Sequence, residues 1–359
     1  NKFSSWNPYA VYEAYKVDDD KSYLLGLRTD LEKEYARWQK SNRLSNGLYW
    51  QGDVQDGMEE TISGGRHKKY ARPTINSYMY GNAEALSKIE QLADNRLAAK
   101  NYGMQADTLK QLIQNKLWNV KQSFFETLRP DSSANVREAV GYLPWYFNLP
   151  DPGKFDKAWL QVNDEKGFSA PYGLTTAERR SPFFRTHGVG KCEWDGAVWP
   201  FATSQTLTAM ANYMNNYADP VVNDSTYFHQ MELYVESQYH RGRPYIGEYL
   251  DETTGYWLKG DQERSRYYNH STFADLVITG LVGLRPRADN TLEVNPLIPA
   301  GKWDWFCLDN VSYHHHNLTI LWDRTGTRYH QGKGFRIFVD GKQVAIKTQL
   351  QRVVVDKCL

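Results

Sequence analysis

The sequence predicts a mainly α protein, a toroid of helical hairpins followed by a small antiparallel β domain. Three observations predict it. Apolar residues recur at helical spacing, in successive segments, through most of the 359 residues. The loops between these segments are unequal in length, as in hairpin toroids whose long loops collect at one end. Near Arg285 the pattern changes, and from Thr291 short alternating segments dominate. Asp340-Gly341 between apolar segments is a hairpin signal. The expected domains are 1–287, helical, and 288–359, sandwich-like.

The elements follow in order. Asn7 to Gln39 reads as two helices, with Asp18-Asp19-Asp20 ending the first and capping the second. The second carries Leu24, Leu27, Leu31, Tyr35 and Trp38 at helical spacing. Gly47 to Tyr80 shows no period from Asp53 to Gly65 and is expected to be a long ordered loop. Tyr78 to Lys100 and Met104 to Leu128 form the next hairpin, broken at Asn101–Gly103. The stretch 141–150, GYLPWYFNLP, is irregular and aromatic, and Asp156 to Val162 is a short helix. Thr203 to Tyr217 and Thr226 to Tyr239 pair as helices, and Thr272 to Leu284 is a buried helix. The segments LEVNPL, LTILWD, GFRIFVDGK and VAIK supply the strands. His314-His315-His316 falls among them; in a strand three adjacent histidines alternate faces, so a polar surface run is expected and not a metal site.

Charge excludes several functions. The chain has 43 basic and 42 acidic residues, a formal +1, and no run of five like charges. Nucleic acid and anionic membranes need a basic patch, so neither is an expected partner. No apolar run approaches the roughly 20 residues of a membrane span. The chain starts at Asn1 and not at Met, so its lack of a leader is silent on targeting. Cys192, Cys307 and Cys358 show no metal or redox spacing, and no cofactor or metal is expected. Asn-x-Ser/Thr matches at Asn223, Asn269, Asn310 and Asn317 are at chance frequency for this length. Tyr, Phe and Trp make up 14% of residues, which suits both a large helical core and a sugar-binding cleft.

Three loops carry acids ahead of helices. The first holds Asp53, Asp56, Glu59 and Glu60, closed by Arg72-Pro73. The second is Glu193-Trp194-Asp195-Gly196-Ala197-Val198-Trp199-Pro200. The third is Gly247-Glu248-Tyr249-Leu250-Asp251-Glu252, ahead of the cluster Arg264 to His270. Converging at one toroid end, they would supply a glycosidase's minimal equipment. One carboxyl must be protonated to serve the leaving oxygen, and one ionised to activate water or attack. Solvated loop charges are the competing reading. Trp50, Trp194, Asp195 and Trp199 are candidate sugar contacts, as are Arg72, Arg180 and His270. Arg72 serves equally as an ion-pair partner for Asp56 or Glu59.

At these loops the chain resembles the (α/α)6-barrel glycoside hydrolases that include trehalases, the family 63 α-glucosidases and mannosylglycerate hydrolases. Gly57-Met58-Glu59-Glu60 is similar to their Gly-Met-Asp-Asn segment, whose Asp is the general acid. The resemblance thus implies Glu59 as acid, with Asp56 as the alternative. Glu193 to Pro200 resembles their Trp-rich sugar-site segment, and Gly247-Glu248-Tyr249 with Thr254-Gly255 resembles the segment of the base, implying Glu248. A closer resemblance is to uncharacterised Bacteroides-type glycan-degrading proteins. It implies an exo-acting, inverting hydrolase of oligosaccharides or glycosides, periplasmic or secreted. Twelve helices are expected of the barrel and about nine are readable, so the toroid is expected to lack its first helices. A missing N-terminal segment or second chain would complete it. Two alternatives stand beside this reading. One is a polysaccharide lyase using Tyr267, Tyr268, Asn269 and His270; the other is a non-catalytic carbohydrate-binding scaffold.

Overall fold

The computed structural model describes residues 3–186, 192–269, 272–356 and 359. It divides into two compact units. The first comprises Asn1–Tyr9 and Thr29–Thr272, the second Ala10–Arg28 and Phe273–Leu359.

Helix α1 spans Asn7–Asp18 and α2 spans Lys21–Asn42. The three aspartates divide them as their chemistry predicts. Asp19 takes a left-handed φ of 56°, and the Asp20 carboxylate accepts the Tyr23 amide at 2.8 Å, capping α2. Helices α3 (Pro73–Leu92) and α4 (Arg96–Lys116) pack along each other in the first unit. Their break lies at Ala93–Asn95 and not at Asn101–Gly103. Asp94 turns the chain with φ 58°, and the Asn95 side chain accepts the Ala98 amide. Gly103 stays helical, and its missing Cβ would stand 3.4 Å from Ser87 Oγ on α3. That is an ordinary contact, so the glycine marks neither a turn nor a forced close approach. Pro73 begins α3 where its absent N–H leaves no hydrogen bond unmade.

Helices α5 (Pro200–Asn216) and α6 (Asp224–Ser237) complete the long helices of the first unit. Pro200 and the Asn223 cap start them a few residues before their apolar patterns begin. The aromatic stretch is core: Trp159 stacks on Tyr142 at 4.5 Å and on Tyr213 at 5.3 Å, all buried. This packing absorbs much of the aromatic content.

In the second unit the expected helix 272–284 is a short α turn, Phe273–Asp275, running into a π-helical segment, Leu276–Val282. The strands are β1 (Leu292–Val294), β2 (Trp305–Tyr313), β3 (His316–Asp323), β4 (Gly334–Val339), β5 (Lys342–Lys347) and β6 (Val353–Val355). An antiparallel sheet runs in the order β5-β4-β3-β2, and β1 pairs with β6. Register aligns Phe306, Trp322 and Phe335 on one buried face. Asp340 and Gly341 both have positive φ, 50° and 75°, as a two-residue hairpin demands. The histidine run differs from expectation. His314 and His315, with φ 48° and 64°, form the β2–β3 turn, so only His316 lies in a strand. His314 is buried, with Nε2 3.0 Å from the backbone oxygens of both Lys16 and Arg287.

Candidate active site

The site is built from three loops of the first unit. In the first, a 3₁₀ turn at Asp53–Gln55 begins the acidic loop. The loop wraps around Asp53, whose backbone oxygen accepts Met58 N and whose Oδ2 accepts Glu60 N, both at 3.1 Å. Behind it Asp56 is enclosed. Its Oδ2 accepts Gln51 Nε2 at 2.6 Å, the Thr74 hydroxyl at 2.7 Å and Arg72 Nε at 3.0 Å, and its Oδ1 accepts Met58 N at 3.2 Å. Burial pushes this carboxyl up from its ordinary value, while Arg72 and Thr74 pull it back. Arg72 is fully buried and serves this loop. Nη1 donates to Thr61, and the carboxylates of Asp56, Glu138 and Asp53 surround the guanidinium. Glu138 is buried and accepts Ser63 N at 3.3 Å, and burial raises it against the pull of Arg72. A Cβ at Gly64 would lie 2.3 Å from Thr61 Oγ1 and 2.7 Å from Asp53 Oδ2, so only glycine closes the loop over this cluster. Asp56 and Arg72 therefore form a scaffold that leaves Glu59 and Glu60 half-buried on the other side. Glu60 lies 3.4 Å from Arg66. Glu59 makes no hydrogen bond or ion pair among the described residues.

The second and third loops pair with each other. Val198 and Leu250 exchange two backbone hydrogen bonds, each 3.0 Å. This bridge aligns Trp199 with Tyr249, and the rings stack at 4.3 Å with 7° between planes. Trp194 stacks on the opposite side of the pile, 3.9 Å from Trp199. All three rings are buried, in one cluster with Met58 and Val140. Trp199 thus has a ring on each face, and both tryptophans form the wall behind the site. Next to this pile, Glu248 is buried and accepts the Ser265 hydroxyl at 3.0 Å. Lys259 Nζ stands 3.8 Å from Glu248 and 5.0 Å from the centre of the Tyr249 ring. Gly247 is required by close approach, since a Cβ there would meet Tyr245 and Trp257 at 2.4 Å.

Cys192 connects the loops. It is partly buried and packs against the Trp194–Trp199 cluster. Burial raises its thiol, Lys259 lowers it, and Glu59, Glu60 and Glu248 raise it further. The acidic loop meets the Glu248 loop beside this thiol, where Met58 and Tyr249 share the cluster that Cys192 packs against.

Arg185 ties the remaining acids. It donates to Glu193 at 2.6 Å, to Asp251 at 2.6 Å and to Glu252 at 2.7 Å. Burial opposes its charge, but these three partners raise it above its ordinary value. Its amide donates to the backbone oxygen of buried Asp195 at 3.0 Å. Trp50 is half-buried, with Lys69 Nζ 4.7 Å over its ring. Arg180 pairs with Asp164 and Glu178 and borders a different cleft. His270 lies outside the described residues. Sequence reasoning missed Arg185, Lys259, Ser265 and Glu138. Only the order of loops in space could reveal them, because each stands far along the chain from at least one partner. No group of three or more metal-ligating side chains occurs among the described residues.

Known proteins resemble this chain in sequence and fold. The Mannosylglycerate hydrolase MGH1-like glycoside hydrolase domain matches residues 1–271, and the Glycosyl hydrolase family 65 C-terminal domain matches residues 284–346. A solved protein named Sialidase is 72% identical, with a TM-score of 0.98, covering 100% of this chain and 33% of its own. The GH63 mannosylglycerate hydrolase from Thermus thermophilus, in complex with glucose, aligns with a TM-score of 0.55 at 15% identity, over 71% of this chain and 72% of that one. An uncharacterised conserved protein of the same organism gives 0.56 at 14%, over 72% of this chain and 74% of that one. These two show a shared fold, the mainly α helical toroid. An uncharacterised protein of Borreliella burgdorferi is 25% identical over 197 residues, 54% of this chain and 40% of its own length. The chain spans about a third of the sialidase-named protein and covers 40% of the Borreliella relative.

Proposed function

Because the chain belongs to the mannosylglycerate hydrolase MGH1-like glycoside hydrolase family, we propose that it hydrolyses the glycosidic bond of a non-reducing-end sugar, exo-acting and with inversion. One observation carries the reading. Glu59 and Glu248 come from loops nearly two hundred residues apart, yet their chain neighbours Met58 and Tyr249 pack in one buried cluster.

The two carboxyls differ in the way the chemistry needs. Glu59 is half-buried and unshared among the described residues, free to meet a glycosidic oxygen. Glu248 is buried beside the Lys259 ammonium and held by Ser265, which suits a carboxylate aimed at water. Glu59 gives its proton to the leaving oxygen as the C1–O bond breaks. Glu248 takes a proton from the water that attacks C1 from the opposite face. Inversion needs room for that water, about 6.5–9.5 Å between the carboxyls. The four donors around Asp56 support Glu59 over Asp56 as the acid in this reading. A periplasmic or secreted site of action goes with this reading.

The test is proton NMR of the first product released from a panel of aryl and oligosaccharide glycosides. An initial anomer opposite to that of the substrate supports the reading. Retention overturns the inverting mechanism, and an unsaturated product points to a lyase. Glu59→Gln and Glu248→Gln should each lower kcat by about 10²–10⁴-fold with sugar binding nearly unchanged. A variant at full rate removes that residue from the chemistry.

A further inference from the structure

A cleft of about 550 Å³ lies in the first unit, bordered by Ile62, Arg129, Arg180 and Phe183. Phe183 leaves 61% of its surface in solvent. A ring exposed in a concavity offers the flat apolar partner that the C–H face of a sugar takes. The charges around it are unequally committed. Arg180 is tied to Asp164 and Glu178, and Glu178 is shared with Arg137 at 2.6 Å. Arg129 has no carboxylate partner among the described residues. Its Nη2 donates to the Ile62 backbone oxygen at 3.2 Å, and its buried Nε has no acceptor. A guanidinium short of acceptors, 5.9 Å over the Tyr70 ring and lining the same cleft as the open Phe183 ring, matches an oxyanion carried on a sugar, because its planar fork suits carboxylate and sulfate. Ile62 stands three residues after Glu59 on the same loop, so the cleft flanks the proposed acid.

We propose that this cleft binds an anionic sugar residue, its ring face on Phe183 and its oxyanion at Arg129, as a subsite beside the loop of Glu59. The saccharide nature of the ligand rests on the glycosidase reading; the preference for negative charge rests on the cleft alone.

The experiment is titration calorimetry in the Glu248→Gln background, which keeps turnover out of the signal. The probes are 3′-sialyllactose against lactose, trigalacturonate against its methyl ester, and a sulfated galactose against galactose. These arms separate sialate, uronate and sulfate. At least one acidic probe should bind ten-fold or more tighter than its neutral partner, and added salt should erode the margin. Arg129→Gln should abolish the margin and Arg129→Lys restore part of it, while Phe183→Ala weakens acidic and neutral probes alike. Melting curves on each variant distinguish loss of the subsite from loss of fold. The proposal is overturned if no arm shows the margin, or if it persists in folded Arg129→Gln. Wild-type hydrolysis is assayed separately, so failure of turnover with an intact acidic preference sinks the glycosidase reading alone.

Discussion

Arg185 is one cation for three carboxylates. Its side chain is only 16% exposed, and Glu193 beneath it is 2% exposed, so removing it leaves buried charge uncompensated. Arg185→Ala should cost about 3 kcal/mol of stability, read from urea unfolding. Arg185→Lys should recover little, because one ammonium cannot span three acceptors in a planar fork. The cluster also has a pH signature. Burial raises Asp251, but hydrogen bonds from Arg185 and Thr254 more than offset it and hold the carboxyl below its ordinary value. The unfolded chain therefore takes up this proton first as pH falls. Its stabilisation is complete above the ordinary carboxyl pKa of about 4 and is lost as pH drops through the lower folded value. The difference in melting midpoint between wild type and Asp251→Asn should shrink as pH falls below about 4. A gap that stays constant to pH 2 would remove Asp251 from the acid response.

At the scale of elements, sequence and structure part where caps and packing compete. The α3–α4 hairpin was legible as two helices, but its turn was not. Asn101–Gly103 looks like a break because glycine is a poor helix former, yet α4 runs straight through Gly103. The true turn is set by Asp94 in a left-handed conformation and by the Asn95 cap. Asn95→Ala should cost about 1 kcal/mol, and Asn101→Ala much less, in paired denaturant titrations. The tryptophan segment teaches the converse. Its place near Glu248 followed from the family resemblance, but composition could not tell a sugar platform from a wall. The stack of Trp194, Trp199 and Tyr249, buried on every ring, makes it a wall. Trp199→Ala should cost about 3–5 kcal/mol and lower kcat along with stability, since it removes the ring stacked on Tyr249, Glu248's neighbour. Glu59 and Glu248 were legible as residues from their motifs. Lys259 and Ser265 were not, because a lone Lys or Ser in a loop carries no periodic signal.

The whole molecule is two units threaded by one chain that passes between them three times, at residues 9–10, 28–29 and 272–273. The change of pattern near Arg285 made the β unit legible. The share of that unit supplied by residues 10–28 was not, because α1 and α2 read as ordinary amphipathic helices. Within the second unit His314 holds this segment, donating its amide to Val17 O at 2.8 Å, and Tyr15 and Leu24 are buried. A chain ending at Thr272 should therefore leave residues 10–28 without the rest of their unit and bind a hydrophobic dye. A monodisperse, dye-negative product in size-exclusion chromatography would count against that.

The same threading matters during synthesis. Residues 10–28 leave the ribosome well before the rest of their unit, which begins at residue 273. At roughly 5–20 residues per second, the intervening chain of about 245 residues takes on the order of 10–50 s to appear. Through that interval the Val17 carbonyl lacks its His314 partner and the segment lacks the rest of its unit, so engagement of the nascent chain by chaperones is expected. Pausing of translation ahead of the β unit should lower its yield more than an equal pause after residue 359.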